Sequence, residues 1–230
     1  MNMDIKNIFF VVPAYNEATV LKATLEPLIQ AGYPVVVVDD GSSDGSWEIL
    51  QKLPVYALRH NINLGQGAAL QTGTMAALAK GAKVIVHFDA DGQHQLQDVP
   101  GLLEPVLAGE ADVALGSRFM RHDDKKEVPL SKRALLKMAI ILNGAMTGLW
   151  LTDAHNGLRV LDRRAAEGID LLENGYAHAT EILNQIRRLK LRCVERPTRV
   201  HYSKYARSKG QSKWNAVNIL YELLSGRLLK

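Results

Sequence analysis

Short apolar runs alternate with amphipathic stretches along the first half of the chain, and each run ends in polar, glycine- or aspartate-bearing sequence. Ile8-Phe9-Phe10-Val11-Val12 is continuous and apolar, the pattern of a strand buried on both faces. Pro13-Ala14-Tyr15-Asn16-Glu17 breaks that run. Val20, Leu21, Leu25, Leu28 and Ile29 then follow helical spacing and predict a helix from Ala18 to Ala31, stopped at Gly32. Val35 to Val38 is a second buried run, closed by Asp39-Asp40-Gly41-Ser42-Ser43-Asp44-Gly45. The alternation continues with a short helix from Trp47 to Leu53, a strand from Val55 to Leu58, a helix from Gly67 to Ala79 and a strand from Val84 to Phe88. Strand, helix and strand in such short succession demand a parallel pair joined by a right-handed crossover. The predicted fold class is therefore α/β, a Rossmann-like, mostly parallel central sheet flanked by helices.

In open parallel sheets ligands bind beyond the carboxyl ends of the strands, so the four strand-end loops are expected to line one crevice. They offer Pro13, Tyr15 and Glu17, then Asp39, Asp40 and Ser42, then Asn61 to Gly67, then Asp89, Asp91, Gln93 and His94. Asp89-Ala90-Asp91-Gly92-Gln93-His94 taken alone fits an acidic turn as well as a metal site. On extended backbone, residues i and i+2 project to one side, so Asp89 and Asp91 could converge on a hard cation. A crevice this acidic repels a phosphate ligand unless a divalent ion mediates, which favours the metal site. A fifth strand is predicted from Val113 to Phe119, and it brings Arg118 to the same rim, where a guanidinium suits phosphate.

The second half is patterned differently. Arg121 to Glu127 is a charge-dense loop, and Ser131 to Leu151 is helical and unusually apolar. Leu151 to Arg159 is polar punctuation carrying Asp153 and His155. Tyr176 to Lys190 is an amphipathic helix with Glu181 among Ile182, Leu183 and Ile186. Trp214, Val217, Leu220, Tyr221, Leu224 and Leu228 form an apolar stripe behind a basic approach segment, suited to a membrane surface or to core packing. Net charge sharpens the contrast: residues 1–115 hold 6 Lys/Arg against 13 Asp/Glu, while residues 116–230 hold 22 against 11. A basic half of this kind suits an anionic membrane surface or a phosphorylated substrate.

Composition is that of an ordinary globular domain, at 47% hydrophobic and 23% charged residues. The lone Cys193 allows no internal disulfide and no cysteine-based zinc site, and it reads as a buried, inert thiol. Met1 to Asn7 shows no secretion pattern, and no apolar window reaches transmembrane length, so the expected location is cytoplasmic or peripheral on the cytoplasmic face of a membrane.

Four of these motifs in order, Val12-Pro13-Ala14-Tyr15-Asn16-Glu17, Val38-Asp39-Asp40-Gly41-Ser42-Ser43-Asp44-Gly45, Asn63-Leu64-Gly65-Gln66-Gly67 and Asp89-Ala90-Asp91-Gly92-Gln93-His94, resemble the family 2 glycosyltransferases of GT-A fold. The nearest likeness is to the dolichyl-phosphate mannose synthase and polyprenyl-phosphate glycosyltransferase branch, over residues 8–215. The resemblance implies one domain over 1–230, with a nucleotide-sugar-binding half at 1–118, an acceptor-binding half at 119–213 and a C-terminal amphipathic helix at 214–230. It implies a nucleotide-sugar donor bordered by Pro13, Tyr15, Glu17, Asp39, Asp40 and Gly65. It also implies Mg²⁺ or Mn²⁺ on Asp89 and Asp91, with Ala90 between them and Gln93 beside them. Gly116-Ser117-Arg118 matches a GSR segment near the acceptor or diphosphate, and Thr152-Asp153 with Asn156-Gly157-Leu158-Arg159 matches a TD…GFR segment in which Leu158 replaces an aromatic residue. Ser203 to Lys213 resembles a basic segment that closes over the diphosphate, making Arg207, Lys209, Ser212 and Lys213 candidates.

The implied activity is inverting sugar transfer, with the divalent ion and basic groups stabilising the leaving diphosphate. A lipid phosphate acceptor needs positioning, whereas a hydroxyl acceptor needs a base, for which Asp153 and then Glu181 are the candidates. Implied partners are a polyprenyl or dolichyl phosphate and an anionic membrane surface or separate membrane-anchored protein, without nucleic acid; UDP and GDP donors both fit. A dinucleotide-dependent oxidoreductase fits poorly, because Leu70 stands where the third glycine of the fingerprint belongs. A sugar nucleotidyltransferase fits poorly because Pro13 to Glu17 lacks a glycine-rich basic turn. A non-catalytic, nucleotide-binding domain of the same fold is disfavoured by the intact Asp89, Asp91 and Arg118.

Overall fold

The computed structural model describes residues 4–120, 144, 148–153, 156–175, 177–199 and 201. Within them a seven-stranded sheet runs in the order β3-β2-β1-β4-β6-β5-β7. The first four strands are β1 (Ile8–Ala14), β2 (Val35–Asp39), β3 (Tyr56–Arg59) and β4 (Val84–His87). Their connecting helices are α1 (Ala18–Gln30), α2 (Ser46–Leu50) and α3 (Gln66–Ala79). α4 (Val99–Leu107) leads to β5 (Val113–Ser117), and after the undescribed stretch come β6 (Arg159–Asp162), α5 (Arg163–Gly168), α6 (His178–Arg188) and β7 (Cys193–Pro197).

β1 pairs in parallel with both β2 and β4, so order reverses between β1 and β4 and a crevice opens there at the carboxyl ends. β1, β2 and β4 are buried along their whole length, as their continuous apolar runs require. Two hydrophobic layers sandwich the sheet. One carries Leu21, Leu25 and Leu28 of α1 with Leu102 and Val106 of α4, and the other carries Leu70 of α3 with Ala165 of α5 and Ile182 and Ile186 of α6.

Several details depart from the sequence pattern. Pro13 does not break β1: it lies within the strand, opposite Val38. The β4 ladder reaches only Val11 and His87, so the missing proline N–H falls beyond its end. β6 and β7 escape the apolar-run criterion because β6 begins on Arg159 and β7 is an edge strand holding Glu195 and Arg196. β6 is antiparallel to both β4 and β5, which sets Arg159 opposite His87 at the crevice edge. The predicted helix at 131–151 is described only at 144, which is helical, and at 148–151, which is not; the predicted helix at 214–229, the segment 203–213 and Tyr176 lie outside the described residues.

Candidate active site

The loops that follow β1 and β2 are sewn together by backbone and side-chain hydrogen bonds. Asn16 sits in the left-handed region at φ 54°, and its N–H donates to Ser42 Oγ (2.9 Å) while its Oδ1 accepts from Ser43 N (2.9 Å). Glu17 N donates to Ser46 Oγ (3.0 Å) and Ala18 N to Asp44 Oδ2 (2.9 Å), so Asp44 receives the start of α1 from outside the helix. Tyr15 is exposed beside this seam, and Pro13 is buried beneath it.

Asp39 and Asp40 are both buried and face different partners. Asp39 Oδ1 accepts from Ser42 N (3.2 Å), and its Oδ2 pairs with Arg59 Nε at 3.1 Å. Arg59 also donates to Ser42 O and lies over the Trp47 ring. Asp40 accepts from Leu64 N (2.9 Å) and Gly65 N (2.7 Å), and pairs with His60 Nδ1 at 2.7 Å. Asp40 thus holds the turn that launches α3, a role not legible in its sequence neighbourhood.

Asp89 and Asp91 project from the loop after β4. Gln66 Nε2 donates to Asp89 Oδ1 (2.9 Å) and His94 Nε2 to Asp89 Oδ2 (2.9 Å). Asp91 accepts from Gln93 N (3.0 Å) and from the Gln93 amide. A Cβ on Gly157 would collide with the Asp89 carboxylate, so only glycine lets this second-half segment lie against it. Ala90 is buried and its carbonyl accepts from Thr24 Oγ1 of α1, which anchors the loop from behind.

Electrostatics separate the two carboxylates. Burial acts to raise the pKa of Asp89, but the His94 hydrogen bond and the charges of His94, Arg159 and His178 outweigh it and hold the group low. Burial and the neighbouring charge of Asp89 push Asp91 up. A carboxylate whose ionisation is disfavoured by a second one nearby belongs to a donor set that a divalent cation relieves. Among the described residues no group of three or more His, Cys, Asp or Glu is arranged around one metal position. Two carboxylates and an amide instead match an ion that completes its shell with substrate oxygens, as Mg²⁺ commonly does. Asp89, Asp91 and Gln93 therefore fit the implied cation.

Across the crevice, Arg118 follows β5 and meets Asp153 in a fork: Nε to Oδ2 at 2.6 Å and Nη2 to Oδ1 at 2.8 Å, with the Arg118 backbone N–H also reaching Oδ2 (3.1 Å). Asp153 is buried. Glu195 of β7 fixes the segment from below by accepting from the N–H groups of Thr152 and Asp153. Glu181, by contrast, lies on α6, and its carboxylate accepts from Leu172 N and Glu173 N. It anchors the loop before α6.

Of two further residues at the site, Arg159 ends the segment that resembles TD…GFR, and His87 gives no sequence signal of its own. Arg159 is buried, its Nη1 has no hydrogen-bond partner, and burial lowers its pKa against the opposing pull of Asp89 and Asp153. Its strand neighbour His87 is driven down to about 3 by burial and by the charges of Arg159 and His178, and pairs with Thr74. The chain also returns to the loop after β4, since His201 N donates to Gln93 O (2.9 Å). Arg207 and Lys213 lie outside the described residues.

Strand order, the acidic loop after β4 and the motif series define a nucleotide-sugar-transferase type of fold, and the profile of glycosyl transferase family 2 matches residues 9–169. The chain belongs to this family and is a glycosyltransferase of GT-A fold. It is 29% identical to the UDP-N-acetylglucosamine–dolichyl-phosphate N-acetylglucosaminyltransferase of Methanococcus voltae, over 95% of each chain. It is 32% identical to the undecaprenyl-phosphate mannosyltransferase of Micrococcus luteus, over 83% of this chain and 82% of that one. The glucosyl-3-phosphoglycerate synthase of Mycobacterium tuberculosis, solved with Mn²⁺, UDP and phosphoglyceric acid, shares the fold at a TM-score of 0.67 and 19% identity, over 96% of this chain and 78% of that one.

Proposed function

We propose that this enzyme transfers a sugar from a UDP- or GDP-sugar to a polyprenyl or dolichyl phosphate, with inversion at the anomeric carbon. Asp89 and Asp91, with Gln93, would hold Mg²⁺ or Mn²⁺ against the donor diphosphate, where the ion neutralises charge on the leaving group. Pro13, Tyr15, Glu17, Asp39, Asp40, Gly65 and Ala90 would border the nucleotide. Arg207 and Lys213 follow shortly after His201, which is bonded to the metal loop, in keeping with a role over the diphosphate.

The observation that carries the acceptor class is the Arg118–Asp153 fork. A hydroxyl acceptor needs a carboxylate to take its proton. Both candidates are committed, Asp153 to Arg118 and Glu181 to two backbone N–H groups. A phosphate monoester, with a second pKa near about 6, arrives largely deprotonated and needs a held cation instead. Asp153 then serves to fix the plane of Arg118, whose guanidinium suits a phosphate oxygen. The phosphate oxygen bonds to the anomeric carbon as the bond from that carbon to the donor diphosphate breaks, and the nucleoside diphosphate leaves with the electron pair.

The basic second half supports delivery of such an acceptor at an anionic membrane surface or from a separate membrane-anchored protein. Among the described residues no helix is long and apolar enough to cross a membrane. The test is a matched pair of acceptors, a short polyprenyl phosphate and the same polyprenol, each incubated with radiolabelled UDP- and GDP-sugars and Mn²⁺. Label is expected on the phosphate alone; comparable transfer to the polyprenol would overturn the acceptor assignment.

A further inference from the structure

We propose that Gln66 is a positioning residue for the metal carboxylate Asp89, and that it ties the geometry of the cation site to the turn held by Asp40. Gln66 is the first residue of α3, and its Nε2 crosses to Asp89 Oδ1 at 2.9 Å, linking residues 23 positions apart. On its N-terminal side Asp40 grips the N–H groups of Leu64 and Gly65 at 2.9 and 2.7 Å. On its C-terminal side Gly67 N donates to Asn174 O (3.0 Å). A Cβ on Gly67 would strike Glu173 O, so this contact is closed to any larger residue. The backbone carrying Gln66 is therefore clamped on both sides.

His94 holds the other oxygen of Asp89 at 2.9 Å, so amide and imidazole fix the carboxylate plane between them. Without Gln66, Asp89 is held from one side and can rotate about its side-chain torsion. Hydrogen bonds of this kind to ligating groups orient them, and their loss commonly weakens metal binding about 10- to 100-fold. Loops after β2, after β3 and after β4 thus form one series, from Asp40 through Gln66 to Asp89, by which seating of the first is felt at the last.

The inference rests on the proposed metal role of Asp89, and the experiment separates the two. Mn²⁺ binding is followed by electron paramagnetic resonance on the full chain without nucleotide, for the unaltered protein, Gln66→Met, Asp40→Asn and the double variant. Gln66→Met keeps the length and helix preference of the side chain and removes only the donor. It is expected to weaken Mn²⁺ binding about 10-fold while leaving the melting temperature and the EDTA-measured affinity for UDP or GDP unchanged. Asp40→Asn is expected to weaken Mn²⁺ binding as well, and the double variant to be no worse than Gln66→Met. Mn²⁺ affinities within twofold of the unaltered protein, or additive losses in the double variant, overturn the inference alone. Absence of Mn²⁺ binding by the unaltered protein, with or without nucleotide, overturns the metal assignment and this inference together.

Discussion

Asp89 and Asp153 stand at the same edge of one sheet, and their surroundings are opposite. Asp89 is gripped by an amide and an imidazole and has a second carboxylate, Asp91, two residues away. Asp153 is neutralised at close range by the guanidinium of Arg118, and its backbone is held by Glu195. Under the proposed function the loop after β4, where two carboxylates lie close together, is the donor side, and the Asp153 carboxylate, met by a guanidinium fork, is on the acceptor side. Under that reading a cation would sit in the first place and an anion such as a lipid phosphate would be accommodated in the second. The same residue type therefore performs two tasks, and the partner decides which.

The sharpest way to break this comparison is to remove charge where it is concentrated. Asp91→Ala is expected to lower metal-dependent turnover by at least about 100-fold, the scale of losing a major electrostatic group at a leaving site, with circular dichroism and melting unchanged. Turnover retained in the variant would remove the metal from the account. Next in size is Asp153→Asn. It frees Arg118 from its fork, and kcat/KM for the lipid phosphate is expected to fall about 10-fold, roughly the 1.4 kcal/mol of a lost charge-assisted bond. The shape of the pH–rate profile should not change. Loss of its acid limb would instead mark Asp153 as the base.

Glu181→Gln tests the other carboxylate. The amide oxygen can still accept from Leu172 N and Glu173 N, so kcat is expected to stay within about twofold and stability to drop by about 1 kcal/mol. A large fall in kcat with the fold intact would return Glu181 to catalysis.

The smallest effect concerns the β5–β7 seam beneath the acceptor side. Arg192 hydrogen bonds hold the pKa of Asp112 below its usual range. A depressed carboxylate pKa gives stability that is present above the ordinary carboxylate range and is lost as pH falls through the folded value. Asp112→Asn should therefore remove part of the loss of stability seen below about pH 4, as followed by acid unfolding. In the neighbouring strand Cys193 is pushed up to about 12 by burial and the charge of Glu195, and it should resist alkylation at pH 8.

The first half was legible because each of its elements is written locally. Four apolar runs end in polar, glycine- and aspartate-bearing loops, and strands β1 to β4 lie where those runs are. The second half is written through distant pairings. β6 begins on a buried arginine, and β7 is a charged edge strand, so neither shows a strand period of its own. α4 carries Pro100 and Pro105, which mask its helical pattern. The proposed site follows the same rule. Asp89 and Asp91 stand out by spacing, whereas the Gln66 contact with Asp89 forms only when the sheet brings α3 beside the loop after β4. The commitment of Asp153 to Arg118, 35 positions apart, was equally invisible in sequence.

The central claim is tested most directly by measuring release of UDP or GDP from its sugar nucleotide in the presence of a polyprenyl phosphate, with Mn²⁺ and with EDTA. Release is expected only when both Mn²⁺ and the phosphorylated acceptor are present, and it should be absent in Asp91→Ala. Equal release in EDTA, or undiminished release by Asp91→Ala, would contradict the assignment of Asp89 and Asp91 as the cation site of a sugar transferase.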